Sequence, residues 1–531
     1  MWTSFDLFPQ ALAGQCDYYY EGYAWDCNTP SSLQTQFEGG AAGSSIVTGG
    51  YWSPPDTDGS VGANYVVTFV NGAFYAWTKS GSLYTDLGSG TFWCSHYSNL
   101  SNGCDPVDPR IVHDNISSRW VASSMAGEQA MATQTLLAVS PGEDPTAPAT
   151  WYFYSVPSCS DGSQGDQPRL ALDGNWIFLT VDCLQDFDSS GVTVNSLWVF
   201  DKASLYAGNP LTMGANAFLF NAGGNPVAAA LSEDYLAAPD TGVVLGVIDP
   251  LVSCIYGACS KSLTFNSIQI GMVSGAVDNP TWTPDCAVVK LPSSAAMRTP
   301  AVAQLGSTDL VGVNTDAKIQ SAVLQTMPPF GFVYIYTAFE EGLPASTPVR
   351  SGIRWAQIDS LGNLVQSAVI QDTTNVKSYH FPSIAVDGNG YGVLGYADFS
   401  KNYYPRGDYQ VFDFSLGVTS NGGQSYTPDD DLDFTPQQIL VNSQDSWTGS
   451  TCSCDKFFCV TGGKYTCVRW GDYSSTVLDP GGTTIWTLQE YINNTPTPPP
   501  AAVQPAGSAP AATPTPAPSD IQDTWWGEIN E

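Results

Sequence analysis

Apolar residues fall along this chain in short runs, alternating or unbroken, and each run is cut off by Asp, Asn, Gly or Ser. A clear pair is Val66-Val67-Thr68-Phe69-Val70 and Ala73-Phe74-Tyr75-Ala76-Trp77, joined by Asn71-Gly72, a two-residue turn suited to a type I′ hairpin. Three later segments share a stricter spacing, in which Pro precedes Asp by five residues: Pro109 and Asp114, Pro168 and Asp173, Pro382 and Asp387. Pro opens a strand where the ladder needs no donor, apolar residues bury the strand, and Asp begins the turn into the next. Thr299 to Leu305, followed by Asp309 to Val313, is a weaker copy.

Multi-stranded units that recur about every 60 to 80 residues are the mark of a β-propeller, whose sheets pack on one another in a ring. The spacing therefore predicts an all-β chain: a six- or seven-bladed β-propeller over residues 45–492, with seven the preferred count. Separate β-sandwiches are the alternative. A Cys-containing extension occupies residues 1–44. From 493 to 519 the composition turns to Pro, Ala and Thr, which predicts an extended polyproline stalk. Residues 520–531, acidic and carrying Trp525-Trp526, read as a short docking tail. Ring closure is expected to bring 469–473 and 484–488 beside 45–48 and 66–77, with Trp470 and Trp486 in the packing.

Composition narrows the class. The 531 residues hold 50 Asp+Glu against 17 Lys+Arg, and 40 of the 50 acids are Asp, a turn former, so long helices are not expected. A net charge of −33 without a basic run repels nucleic-acid phosphates and anionic lipid, and no apolar run is long enough for a membrane-spanning helix. Thirteen Cys suggest an oxidising compartment, extracellular or at the cell surface. Cys16 with Cys27, Cys94 with Cys104, and Cys159 with Cys183 are the first candidate pairs, and Cys452, Cys454, Cys459 and Cys467 form a further cluster. Zinc is the rival, disfavoured because three His lie away from that cluster and no CxxC occurs. The start of the chain shows no recognisable signal peptide. Asn99, Asn115 and Asn493 head N-glycosylation sequons.

The segment Arg469-Trp470-Gly471-Asp472-Tyr473-Ser474, then Asp479-Pro480, Ile485-Trp486 and Glu490-Tyr491, resembles the closing signature of exported sialidase-like, Asp-box type propellers. Pro54 to Gly62 resembles the opening of that group, and Thr419 to Tyr426 a degenerate Asp-box, with Asn421 for Asp and Tyr426 for Trp. The resemblance implies a secreted propeller in a functionally diverse group. Sialidase chemistry uses an Arg cluster for a carboxylate, and Arg110, Arg169, Arg298 and Arg469 are the candidates for convergence on the axis. Calcium is the one cofactor candidate, at Asp56 and Asp58 before Gly59 and at Asp429, Asp431 and Asp433. Two functions follow: a non-enzymatic extracellular glycoprotein that binds glycan or protein and is displayed or self-assembled through its stalk, or a secreted glycoside hydrolase or lyase working at the axial pocket.

Overall fold

The computed structural model describes residues 15–19, 24–28, 32–43, 52–97, 106–128, 131–160, 162–184, 195–223, 227–229, 231–232, 241–247, 264–296, 299–308, 310–312, 319–327, 332–413, 437–444, 451–452, 467–493 and 521–530. Four-stranded antiparallel meanders dominate it. The first sheet runs Asp58–Val61, Tyr65–Val70, Ala73–Thr78, Leu83–Gly88; the second Val107–Asp114, Arg119–Glu128, Met131–Val139, Tyr152–Pro157; the third Gln164–Leu172, Trp176–Leu184, Asn195–Asp201, Ala217–Gly223. A nine-stranded sheet follows and holds two successive meanders. One is Val227–Ala229, Thr241–Val247, Thr264–Ala276, Asn279–Ala296, and the other is Ile319–Met327, Phe332–Leu343, Arg350–Asp359, Leu364–Ile370. A lone register pair, Ala296 with Gly342, links them, and Leu231–Ser232 adds a parallel strand beside Ile319–Met327. The sheet of Lys377–Val386, Tyr391–Ser400, Tyr403–Asp413 and Gln438–Asn442 comes next.

The first strands of these meanders lie side by side in a cycle. Asp58–Val61 neighbours Val107–Asp114, which neighbours Gln164–Leu172, and the series continues through Val227–Ala229, Ile319–Met327 and Lys377–Val386 to Ser475–Leu478, which returns to Asp58–Val61. This is a propeller-type all-β fold, and its core lies between neighbouring sheets, where Trp120 packs with Phe69 and Phe74, and Trp355 with Tyr396 and Phe412.

The Pro-to-Asp spacing has a physical basis here. Pro109, Pro168 and Pro382 each sit at a bulge, where the pairing slips between Val107 and Arg110, Asp166 and Arg169, or His380 and Ser383. Proline carries no N–H, so the slip wastes no donor. The residue before each Pro is driven into the left-handed region, with φ of +51° at Asp108, +47° at Gln167 and +54° at Phe381. At the far end, Asp114, Asp173 and Asp387 each accept two backbone N–H bonds from the turn that follows.

Closure differs from the expectation. The last sheet is ordered Ser32–Glu38, Ile521–Asn530, Thr484–Asn493, Ser475–Leu478. Both the expected N-terminal extension and the expected docking tail therefore supply strands. Trp526 is fully buried with Trp486, Val61, Val66 and Leu488, and its indole N–H donates to Thr68 Oγ1 at 2.8 Å. A Trp in that setting is core, which corrects the reading of the tail as a free peptide. Trp486 packs against Val66, and Trp470 packs with Ile492 of the same last sheet and with Phe381 and Phe399, as expected of both. Asn493 pairs directly with Ile521, so the Pro-rich segment begins and ends at adjacent points of one sheet. The expected stalk itself, apart from Asn493, lies outside the described residues. Residues 44–50 lie outside the described residues.

Cys159 and Cys183 are bonded, with Cα atoms 5.7 Å apart, as the spacing suggested. Cys94 is disulfide-bonded, and Cys104 lies outside the described residues. Backbone register sets Cys16 opposite Cys27 and Cys452 opposite Cys467, while Cys454 and Cys459 lie outside the described residues. No helix among the described residues is long and apolar enough to cross a membrane.

Two outcomes are expected. Ending the chain at residue 519 removes a strand from between two others and exposes Trp486, so the whole ring should lose its cooperative melt, as followed by near-UV circular dichroism. Replacing Cys159 and Cys183 by Ser opens a loop of 24 residues and should lower unfolding stability by about 3 kcal/mol in denaturant titrations.

Candidate functional site

At one end of the axis the strand starts bring together Asp56, Asp108, Asp472, Glu490, Arg469, Arg110 and Tyr473. Asp108 is placed by its bulge; Asp56, with φ of +46°, holds the same kind of left-handed turn just ahead of Asp58–Val61, and Asp472 comes from the segment entering the last sheet. Each acid is tied to a neighbouring sheet. Asp56 accepts from Asn71 Nδ2 at 2.6 Å and from the Asp472 N–H at 3.1 Å. Asp108 accepts from the Gln167 N–H at 3.2 Å, and its own N–H donates to Asn71 Oδ1 at 2.9 Å. Glu490 accepts from Thr57 Oγ1 at 2.8 Å and from the Gly471 N–H at 3.2 Å. Gly471 is required for this approach, since a Cβ there would stand 2.0 Å from Glu490 Oε1.

Burial sets the electrostatics. It is the largest cause pushing the Asp56 carboxyl up to about 7, with Asp472 and Glu490 adding to the rise and Arg469 and Asn71 opposing it. Asp108 is likewise pushed up to about 7 by burial and by the charges of Asp56 and Asp472. Glu490 is raised to about 8, burial outweighing its bond from Thr57. The Arg469 guanidinium, against a burial effect that lowers it, is held above its ordinary value by Asp472, Asp56 and Asp108. Its Nη2 contacts Asp472 Oδ2 at 2.5 Å, and its side chain remains 31% exposed. Asp472 Oδ1 is buried with no protein partner among the described residues.

Below the mouth runs a narrow channel of about 90 Å³, lined by Asp58, Arg110, Arg169, Ser321, Ser383 and Thr476 among others. Arg110 and Arg169 hold equivalent bulge positions and both line this channel. Arg110 lies over the Tyr473 ring, 3.4 Å from its centre, and donates from Nε to the Pro168 carbonyl at 2.7 Å. Arg169 contacts Asp182 at 3.1 Å and is mostly buried. Arg298 lies outside the described residues.

The calcium expectation at Asp56 and Asp58 does not fit this geometry. Asp58 is spent on the Ile111 N–H at 2.8 Å and on Ser475 Oγ, while Asp56 faces Asn71 and Asp472, so the two carboxylates do not share one point. No group of three His, Cys, Asp or Glu suited to a metal occurs among the described residues. Asp429, Asp431 and Asp433 lie outside them, as does Asn99. Asn115 sits half-buried in a turn, its Oδ1 2.7 Å from His113 Nδ1. Asn493 is buried and donates its amide to Asp523 at 3.0 Å, so that sequon is not open to a glycan.

Sequence reasoning picked out Asp56, Arg110, Arg169 and Arg469 but missed Asp108, Asp472, Tyr473 and Glu490 as site residues. A signal existed for Asp108: it occupies the slot before Pro that Gln167 and Phe381 occupy in the sister repeats.

No protein-family model and no curated protein matches the chain. Solved structures similar to it include an exo-β-1,3-galactanase from Phanerochaete chrysosporium with galactose, at 12% identity over 71% of this chain and 81% of that one, TM-score 0.31. An α-L-arabinanase from Penicillium chrysogenum with arabinobiose matches at 12% identity over 60% and 87%, TM-score 0.31. The Dos1 propeller matches at 8% identity over 86% and 92%, TM-score 0.35. The expectation of a non-enzymatic display protein is corrected on this finding: galactanases, a galactosidase and an arabinanase are among the solved structures similar to the chain. They are not sialidases, and the Asp-box segment 419–426 lies outside the described residues.

The raised carboxyls fix a pH response. Between the unfolded carboxylate value, about 4, and 7 to 8, the folded chain holds protons that the unfolded chain releases. Raising pH through that window therefore lowers the stability these groups contribute. Glu490→Gln, which keeps the shape and stays neutral, should flatten the fall in melting temperature between pH 5 and pH 8 relative to the parent. An unchanged slope would show that Glu490 titrates normally.

Proposed function

We propose that the chain is a secreted glycoside hydrolase acting at the axial mouth of a seven-bladed propeller. The seven-membered cycle of first strands supports the blade count. The observation that carries the activity is the contrast between two neighbouring acids. Burial and the charges of Asp56 and Asp472 push the Asp108 carboxyl up to about 7, so it carries its proton through the mildly acidic range. Asp472 is held by Arg469 and keeps Oδ1 unpartnered. Glycosidic cleavage needs one carboxylic acid that protonates the leaving oxygen and one carboxylate that activates water or attacks the sugar, and sites separate the two by environment. In this reading Asp108 is the proton donor, Asp472 the carboxylate, and Arg469 the cation that pairs with Asp472 and reaches substrate through its exposed face. Arg110, clamped over Tyr473, positions that ring at the channel entrance.

The chain is tested on a panel of arabinan, β-1,3-galactan and aryl-glycoside substrates, with turnover followed by reducing ends. Asp108→Asn should lower kcat/KM by about 100-fold or more while leaving the melting temperature within a few degrees. In the parent, kcat/KM should fall as pH rises above about 7, because the donor must carry its proton. Absence of turnover on the whole panel, or full activity in Asp108→Asn, would overturn the assignment.

A further inference from the structure

A second cleft opens on the outer rim, away from the axis, between the outermost strand of the first sheet, Leu83–Gly88, and the segment 146–149 that precedes the outermost strand of the second. Its volume, about 480 Å³, lies in the range of small-molecule sites. Ser89–Trp93 and Cys94–His96 form one wall, fixed from behind by the buried Phe92 and Trp93 and by the disulfide at Cys94. Leu87 and Phe92 give the cleft an apolar floor.

The lining combines aromatic faces with small hydroxyls. Tyr84 is 59% exposed, its ring braced edge-on by Tyr65 at 5.7 Å. His96 is exposed and stacks on Phe153 with ring centres 3.7 Å apart, so one face of the imidazole rests on the core. Ser95 and Thr146 supply hydroxyls, and Asp144 holds Thr146 in place by accepting from its N–H at 2.9 Å and its Oγ1 at 2.6 Å.

Charge decides the ligand class. No Lys or Arg lines the cleft, and Asp86 is its one formal charge. Burial lowers the His96 pKa, so the imidazole is neutral at pH 7. Phosphates, sulfates and uronates find no counter-ion there. A flat, uncharged ring with one apolar face and a hydroxyl rim fits both the exposed Tyr84 and the hydroxyls beside it. We propose that this rim cleft is a carbohydrate-binding site for neutral oligosaccharides, separate from the axial mouth.

Affinity electrophoresis of the full chain in native gels containing arabinan, β-1,3-galactan, xylan or galactomannan tests this, with polygalacturonate as the acidic comparison. At least one neutral polymer should retard the parent. Tyr84→Ala should weaken that retardation by about three- to tenfold, and His96→Ala, at a second exposed position, should do the same. Asp108→Asn should leave it intact. Retardation that survives both rim variants, that vanishes in Asp108→Asn, that is confined to polygalacturonate, or that is absent with every neutral polymer would overturn the site. Turnover is read separately, so loss of the hydrolase reading and loss of this one are distinguishable.

Discussion

Several sheets of this fold, among them those opening with Asp58–Val61, Val107–Asp114 and Lys377–Val386, turn the outer edge of their first strand to the axis, where its N–H groups meet no further strand of their own sheet. Unpaired edge donors are costly when buried and sticky when exposed. Here the preceding sheet answers them with side chains. Asp58 Oδ2 takes the Ile111 N–H, Ser60 Oγ the His113 N–H, Ser475 Oγ the Gly59 N–H and Ser321 Oγ the Ile384 N–H. The bulge positions are served the same way: Asn71 takes the N–H of Asp108, Asp108 that of Gln167 and Glu340 that of Phe381, while Asp56 takes the N–H of Asp472 in the segment entering the last sheet. A partial circuit of side chain to backbone bonds at the axis thus ties Asp58–Val61 to Val107–Asp114 and to Ser475–Leu478, the Asp108 bulge to the Gln167 bulge, and Ile319–Met327 to Lys377–Val386.

That circuit explains why so many acids gather where they repel one another. A short carboxylate is a strong acceptor for a backbone N–H, so Asp recurs at the axial positions although each added charge raises the pKa of its neighbours. Most of these acids are consumed by the circuit, as Asp56 and Glu490 are. Asp472 is different, because its second oxygen is left over and Arg469 stands on its first. A site with acid–base character thus arises from the same bonds that close the ring, and chemistry and closure cannot be separated by removing a whole side chain. An Asp-to-Asn exchange, which keeps one acceptor oxygen, separates them better than Asp-to-Ala.

What the sequence made legible was local. The Pro-to-Asp repeat could be read because both residues act on their own backbone, Pro through its missing N–H and Asp through the turn it caps. Arg110 and Arg169 followed from the same register. Glu490 and Asp472 were opaque because their partners, Thr57 and Asp56, lie more than 400 positions away, and only ring closure brings them together. Cys16 and Cys27 were suggested by spacing and stand opposite one another in register, whereas a calcium loop at Asp56 and Asp58 was suggested by residue type alone and failed on direction.

The strand beyond the Pro-rich segment was hidden for a reason that applies to composition boundaries generally. Residues 494–520 look like the end of a domain because they cannot form a core, yet Asn493 and Ile521 are direct partners in the sheet. Loop closure entropy grows only with the logarithm of loop length, so stretching a hairpin loop from a few residues to nearly thirty adds about 2 kcal/mol. Burying Trp526 and Ile529 in the core offsets a cost of that size, since a large apolar side chain contributes about 1.5 to 3 kcal/mol on burial. A low-complexity insertion inside a closing hairpin is therefore affordable, and the better sign of a true terminus is the absence of any later apolar strand. Here Ile521, Trp525, Trp526 and Ile529 gave that sign, spaced so that Trp526 meets Trp486 in the interior while Trp525 packs on Tyr491.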